Sequence, residues 1–308
     1  MRSHFQGPLL KLAFTPKIPL QVSAAALNCL SGLIWSNNRA QQNFANEKLM
    51  KIPVNNFLMR IDTPISPLMA SIVLAVHGNP SQEGAEQRAK ALELVEAFCS
   101  VNFEGQLVLL STLKASDSAS PGTVILEALF DLDSSRKRDP WHCWYASILL
   151  CHLIDGNEEA KRVLLKHRVI DFDEEDEGED LLTNLMLNMI RIGNDSRGST
   201  CQKSIIGYLQ LLVVWFHESP MTINAFLSES SFLQYLLERI TQQPQELEIQ
   251  GFASLILGIC VLFNDESVER VGSEALKGII KNRIGPDLFV SRLSRLKSHS
   301  DKVTLDML

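Results

Sequence analysis

Apolar positions along this chain recur at three- and four-residue spacing and stop at short polar breaks, the pattern of helix–turn–helix units. Ala24–Trp35 is apolar at helical spacing, breaks at Ser36-Asn37-Asn38 and resumes over Arg39–Phe44. Trp144–Ile154 breaks at Asp155-Gly156-Asn157 and resumes over Glu158–Leu165. Ile205–Phe216 breaks at His217-Glu218-Ser219-Pro220 and continues into Met221–Leu227. Phe252–Phe263 breaks at Asn264-Asp265 and continues over Ser267–Ile280. Each break carries Asn, Asp, Ser or Gly, residues that end one helix and cap the next. A more divergent unit occupies Ile65–Leu113, where Glu86–Cys99 reads as an amphipathic helix. Sustained β-branched alternation is absent, so no strand is expected.

Repetition of one supersecondary unit predicts an all-α, armadillo-like helical-repeat solenoid, although the spacing of the units is irregular. The array is expected over 20–298, preceded by an irregular lead-in at 1–19 and followed by a tail at 299–308. Lys11, Pro16 and Pro19 interrupt the apolar start, which argues against a signal peptide. No apolar run approaches the roughly 18 residues of a membrane span. Two segments interrupt the array. Ser116–Gly122 reads as a loop, and 171–180 (DFDEEDEGED) is almost wholly carboxylate. That block reads as a solvated inter-helix loop, with docking of a basic partner or cation binding as the other readings. It lacks the spacing of a calcium-binding EF-hand loop.

The 308 residues are 45% hydrophobic and carry a net charge of −7, enough apolar content for a sizeable core and the wrong sign for general nucleic-acid binding. Five of the six cysteines (Cys201 is the exception) lie in or beside apolar runs and none forms a Cys-x-x-Cys pair, which suits a reducing, cytoplasmic setting. His142, Cys143, Cys151 and His152 share one helix, but the two cysteines fall about 80° apart around it, so core packing is expected and not a metal site. No nucleophile elbow or phosphate loop is present, no cofactor is implied, and the sequence argues against an enzyme. Most of Trp35, Trp141, Trp144 and Trp215 are expected in the core, Trp141 being the one most open to solvent. The remaining feature is a basic C-terminal region with few acids nearby. Lys277 and Lys281 share one helix face, and Arg292, Arg295 and His299 another. Such a region reads either as a solvated helix face or as a docking patch for an acidic protein partner.

The C-terminal block also resembles a family. Gln250-Gly251 with Leu255-Ile256-Leu257-Gly258-Ile259 and Phe263-Asn264-Asp265, then Lys281-Asn282-Arg283-Ile284-Gly285 with Phe289, is similar to the head region of the general vesicular transport factor tethers of the Golgi. Gly122–Phe130, Trp141-His142-Cys143-Trp144, Val213–Phe216 and Ala225-Phe226-Leu227 extend the likeness. The resemblance implies a non-catalytic binding platform in ER-to-Golgi and intra-Golgi transport. It implies a cytoplasmic protein held peripherally on Golgi and vesicle membranes, with Rab-family GTPases, golgins and SNARE proteins as partners and a possible homodimer. The candidate partner surface is Asn264, Asp265, Lys277, Lys281, Arg283, Arg292 and Arg295. A generic armadillo or HEAT peptide-binding scaffold, or a transport adaptor, is the alternative. The chain departs from the family by entering the array abruptly near Leu20, by lacking a heptad rod and by carrying its acidic block inside the array. A fragment or shortened product is therefore expected, with an apolar end face at Ala24–Trp35 that drives self-association.

Overall fold

The computed structural model describes residues 6–49, 65–113, 120–130, 139, 141–169, 178–194, 200–241 and 247–306. Most of the acidic segment and the Arg136–Arg138 run lie outside the described residues. The helices are α1 (Gln6–Phe14), α2 (Leu20–Ile34), α3 (Asn38–Asn46), α4 (Pro67–His77), α5 (Gln82–Cys99), α6 (Phe103–Leu110), α7 (Pro121–Phe130), α8 (His142–Ile154) and α9 (Glu158–Leu165). After them come α10 (Leu181–Asn194), α11 (Thr200–Phe216), α12 (Pro220–Ser228), α13 (Ser230–Thr241), α14 (Leu247–Phe263), α15 (Ser273–Ile279) and α16 (Pro286–Asp306), with a π-helical turn at Ile280–Ile284. The fold is all-α and armadillo-like. The expectation of no strand needs one correction: β1 (Arg168–Val169) and β2 (Glu179–Asp180) pair, each too short to show alternation in sequence. The chain forms two compact units, Met1–Val163 with Val169–Glu177, and Leu164–Arg168 with Gly178–Leu308.

In the first unit α5 packs against α2, α4 and α8, and α4 and α8 share α7. The helices begin where caps supply acceptors. Asn37, Ser66, Ser81, Asn102 and Asn157 each accept from the backbone N–H three residues on, at 3.0–3.2 Å. Two expectations fail here. The lead-in is not irregular: Leu10, Ala13 and Phe14 fall on one face of α1 and are buried against α2. Ser23 Oγ donates to Ala13 O at 2.6 Å and receives Gln87 Nε2 at 2.6 Å. Consequently Ala24, Leu27, Leu30 and Ile34 are internal, and the apolar end face expected at Ala24–Trp35 is reduced to the exposed side chains of Leu33 and Trp35. The unit also holds a buried cation. Arg88 donates to Ala75 O and Val76 O, both at 2.9 Å, pairs with Asp139 at 2.7 Å and stacks 4.1 Å from the Tyr145 ring.

Five residues in the left-handed region mark the corners between paired helices: Ser36, Val101, Gly156, Glu218 and Glu266. Three of them fall in the polar breaks read from sequence, and Glu266 directly follows the fourth break. In the first unit a buried glutamine fastens each corner to the next. Gln41 Nε2 donates to Ala97 O (2.9 Å) and Ser100 O (3.0 Å), and Gln106 Nε2 to His152 O (2.9 Å) and Asp155 O (3.2 Å). Each glutamine sits four residues beyond an Asn cap, and its acceptors occupy the same two positions before the next left-handed residue. This geometric repeat is what the apolar rhythm alone expressed only loosely.

The second unit is built around α14, which packs against α11, α13 and α16. Its side chains Ile249, Ala253, Ile256, Leu257 and Cys260 are buried together with Tyr208, Trp215, Phe216 and Phe226 of α11 and α12. Gly251 allows the close approach of α16, since a Cβ there would stand 2.7 Å from Leu296 Cβ. Of the tryptophans, Trp215 is fully buried and Trp144 half-buried, whereas Trp141 and, contrary to expectation, Trp35 are exposed. Trp35 is the C-cap of α2 and so points out of the helix packing.

Candidate functional site

The residues singled out at the C-terminal end lie on the loop after α14, on α15, on the π turn and on α16. The loop is shaped by its own polar side chains. Asn264 Oδ1 accepts from Glu266 N at 2.8 Å and its amide donates to Val271 O at 2.8 Å. Asp265 Oδ1 accepts from Ser267 N at 3.0 Å and from Asn224 Nδ2 at 2.9 Å. The Ser267 hydrogen bond first, and Asn224 second, hold the Asp265 carboxyl below its ordinary range. Glu266 turns through positive φ and accepts from Ser273 N at 3.0 Å, capping α15. That bond, with the nearby Lys277 contributing less, also keeps its carboxyl low. Asn264 and Asp265 therefore fix the loop, and Asp265 extends the corner-to-corner strapping into the second unit through Asn224.

The basic residues occupy separate settings. Lys277 is exposed and paired with Glu274 at 2.7 Å, which raises its pKa, with Glu266 adding to the field. The expectation of few acids nearby is corrected at this position. Lys281 and Arg283 are exposed on the π turn, where Arg283 Nη2 donates to Gln234 Oε1 at 2.9 Å. The turn closes at Gly285, whose φ of 89° no side-chain-bearing residue adopts readily, and Pro286 then starts α16. π turns inside helical arrays are frequent at functional positions. Arg292 does not belong to an exposed patch: it is 7% exposed, its backbone lies against Gly251 of α14, and its Nε has no partner among the described residues. Burial first and then Arg295 lower its pKa. Arg295 is exposed. The structure thus brings Asn264, Asp265 and Lys277 together around Glu266, sets Lys281 and Arg283 on the turn beside α13, and withdraws Arg292 into the helix packing.

Other chemistry is dispersed. His142 Nδ1 lies 3.1 Å from Val76 O, Cys143 Sγ 3.6 Å from Leu129 O, and Cys151 is buried with its thiol pKa raised by desolvation. His152 is pushed down to about 4 by burial, against the field of Asp155. Among the described residues no cluster of His, Cys, Asp or Glu is arranged to hold a metal ion, and no helix is long and apolar enough to cross a membrane. What sequence reasoning missed is the strapping set Gln41, Gln106 and Asn224. Its signal is an amide four or five residues beyond each break, in Asn37-x3-Gln41, Asn102-x3-Gln106 and Ser219-x4-Asn224.

Comparison with known proteins fits this architecture. Residues 8–306 match the family described as Uso1 / p115 like vesicle tethering protein, head region. The chain is 28% identical over 269 residues to mouse general vesicular transport factor p115, covering 83% of this chain and 26% of that protein. It is 24% identical over 306 residues to intracellular protein transport protein uso1 of Schizosaccharomyces pombe, covering 96% of this chain and 27% of that one. The chain spans about a quarter of the length of these curated relatives. A crystal structure of Uso1 superposes with a TM-score of 0.74 at 18% identity, over 95% of this chain and 44% of that chain, a likeness of fold. The family match over nearly every residue, with a fold shared at that TM-score, places this chain in the Uso1/p115-like vesicle tethering family, as a stretch of its head region.

Proposed function

We propose that the chain is a non-catalytic binding platform in vesicle tethering during ER-to-Golgi and intra-Golgi transport, cytoplasmic and held peripherally on Golgi and vesicle membranes through protein partners. Membership in the tether family carries this reading, and helical-repeat arrays suit it because they offer broad surfaces without a cavity. The surface assigned to a Rab-family GTPase is the π turn with its two exposed cations, Lys281 and Arg283, beside α13. Rab switch regions change shape with the bound nucleotide, and an irregular turn held by Gly285 presents its cations at a fixed position. Asn264 and Asp265 serve this surface by shaping the neighbouring loop, and Lys277 and Arg295 lie on its borders. Golgins and SNARE proteins are the other partners assigned to the platform, and homodimerisation is part of the same proposal.

The test is binding of the purified chain to Golgi Rab GTPases loaded with GDP or with a non-hydrolysable GTP analogue. Preference for the GTP form, lost in Lys281→Glu/Arg283→Glu, is the expected result. Equal binding of wild type and reversal variant removes the π turn from the reading, and no binding in either nucleotide state removes the GTPase.

A further inference from the structure

The corner edge of the first unit exposes a row of large apolar side chains among uncompensated carboxylates. Trp35 is 51% exposed, Val101 66% and Phe103 53%. The corners that carry these side chains are tied to one another by hydrogen bonds. Ser36 Oγ lies 3.1 Å from Ser100 Oγ, joining the Trp35 corner to the Val101 corner, and Asn157 Nδ2 donates to Phe103 O at 3.2 Å, joining the third. An exposed tryptophan and an exposed phenylalanine beside an exposed valine are residue types of an interface core rather than of a solvated rim.

Val101 sharpens the point. Its φ is +55°, a conformation that is costly for a β-branched residue. The equivalent corners carry Ser36, Gly156, Glu218 and Glu266. A buried valine could recover that cost through packing, but this one is in solvent. The fold gains nothing from valine here, whereas an apolar contact outside the fold does.

Carboxylates border the row at the Val101 and Gly156 corners, while Arg39 is exposed on α3 past the Trp35 corner. Glu96 and Asp155 sit close enough for Asp155 to contribute, after burial and Glu93, to raising the Glu96 pKa. Neither Glu96 nor Asp155 has a cationic partner among the described residues, while Glu93 is paired with Lys90 at 2.8 Å. An apolar row bordered by free carboxylates complements a helix with one apolar and one basic face, and it repels anionic membrane surfaces.

We propose that the edge formed by Trp35, Val101 and Phe103, with Glu96 and Asp155, is a docking surface for a basic amphipathic segment of a protein partner. It is separate from the π turn and stands whether or not that turn binds a GTPase.

The test uses the full chain and a fluorescein-labelled synthetic peptide of Leu and Lys at helical spacing, about five turns long. The same peptide with Glu in place of Lys is the charge control. The Lys peptide is expected to bind, with affinity falling as salt rises, and the Glu peptide not to bind. Trp35→Ala/Phe103→Ala weakens binding by at least ~10-fold. Glu96→Gln/Asp155→Asn weakens it and flattens the salt dependence. Val101→Asn raises Tm by a few degrees, roughly, while weakening the peptide, a pairing that no purely structural role produces. All five positions are at least partly exposed, and circular dichroism checks the fold of each variant. Equal Lys-peptide affinity in the wild type and both double variants overturns the proposal. So does binding to phosphatidylcholine vesicles, with or without phosphatidylserine, that Trp35→Ala/Phe103→Ala abolishes. Concentration-dependent dimerisation in sedimentation, lost in that same variant, assigns the edge to a second copy and overturns it as well.

Discussion

Both units draw arginine into their helix packing, and Arg88 of the first and Arg292 of the second are treated differently. Arg88 in the first unit has every group engaged: two backbone carbonyls, the Asp139 carboxylate and the face of Tyr145. Arg292 in the second unit is covered to a similar degree, yet its Nε is without a partner and no carboxylate of the described residues pairs with it. A buried guanidinium stabilises a fold only when its donors are matched; otherwise its hydrophobic stem does the packing and its charge is a cost. Arg88 is therefore an organising residue, holding α4, α5, α8 and the Asp139 approach to α8 together, whereas Arg292 contributes mainly its methylenes.

Replacing each by methionine separates the two cases. Arg88→Met removes a charge from a matched set and leaves two carbonyls and Asp139 without their donor, so a loss of about 3 kcal/mol is expected in urea denaturation. Arg292→Met keeps the stem volume and relieves an unmatched charge, so its midpoint stays within ~0.5 kcal/mol of wild type or rises. Equal losses in the two variants would show that Arg292 is matched after all.

The corner straps give the next largest contrast. Gln106 is buried and reaches two carbonyls, and it accepts from Asn157 Nδ2 at 2.9 Å, so Gln106→Ala leaves several internal groups unpaired. About 2 kcal/mol is expected, read as a shifted midpoint with unchanged slope. Asn224 instead meets Asp265 at an exposed position, where water replaces the lost bond. Asn224→Ala leaves the midpoint at neutral pH unmoved. Because the Asp265 carboxyl is held below its ordinary value, whatever it contributes is present above about 4 and fades only as the pH falls further. A large neutral-pH loss for Asn224→Ala would mean that the second unit's corner depends on its strap as the first unit's do.

Much of this organisation was legible before the structure. The breaks at Ser36-Asn37-Asn38, Asp155-Gly156-Asn157, His217–Pro220 and Asn264-Asp265 are corners, because cap residues and an interrupted apolar rhythm are local signals. The divergent unit's helix, read as Glu86–Cys99, starts earlier, at Gln82, where the Ser81 cap sets it. Elements whose identity depends on partners were hidden. α1 was obscured by Lys11, which lies on its outer face while Leu10, Ala13 and Phe14 pack inward. The π turn was invisible because Lys281 and Arg283 fit ordinary helical spacing. Arg292 was grouped with Arg295 by that same spacing, although α14 covers one and leaves the other in solvent. The exposure of Trp35 was masked by its apolar character, which composition assigns to a core.

The smallest effect bears on the docking edge and has the opposite sign to the others. Burial, with Glu93 and Asp155 nearby, holds the Glu96 carboxyl above its ordinary value of 4.5. A carboxyl whose folded pKa is raised penalises folding once it ionises. The penalty is present above the raised folded value and is relieved as pH falls through that value toward 4.5. Glu96→Gln removes the ionisable group, so the variant is more stable than wild type at neutral pH. The gain is a few tenths of a kcal/mol, because about half-exposure screens the charge. Thermal melts at pH 7 and near the ordinary carboxylate range check this: the variant's advantage is present in the first and absent in the second. A carboxylate kept where the fold is better off without its charge gains its use from outside the fold. If Glu96→Gln instead lowers Tm at pH 7, the charge belongs to the fold, and loss of peptide binding in Glu96→Gln/Asp155→Asn would have to be read as damage to the corner rather than as a lost electrostatic contact.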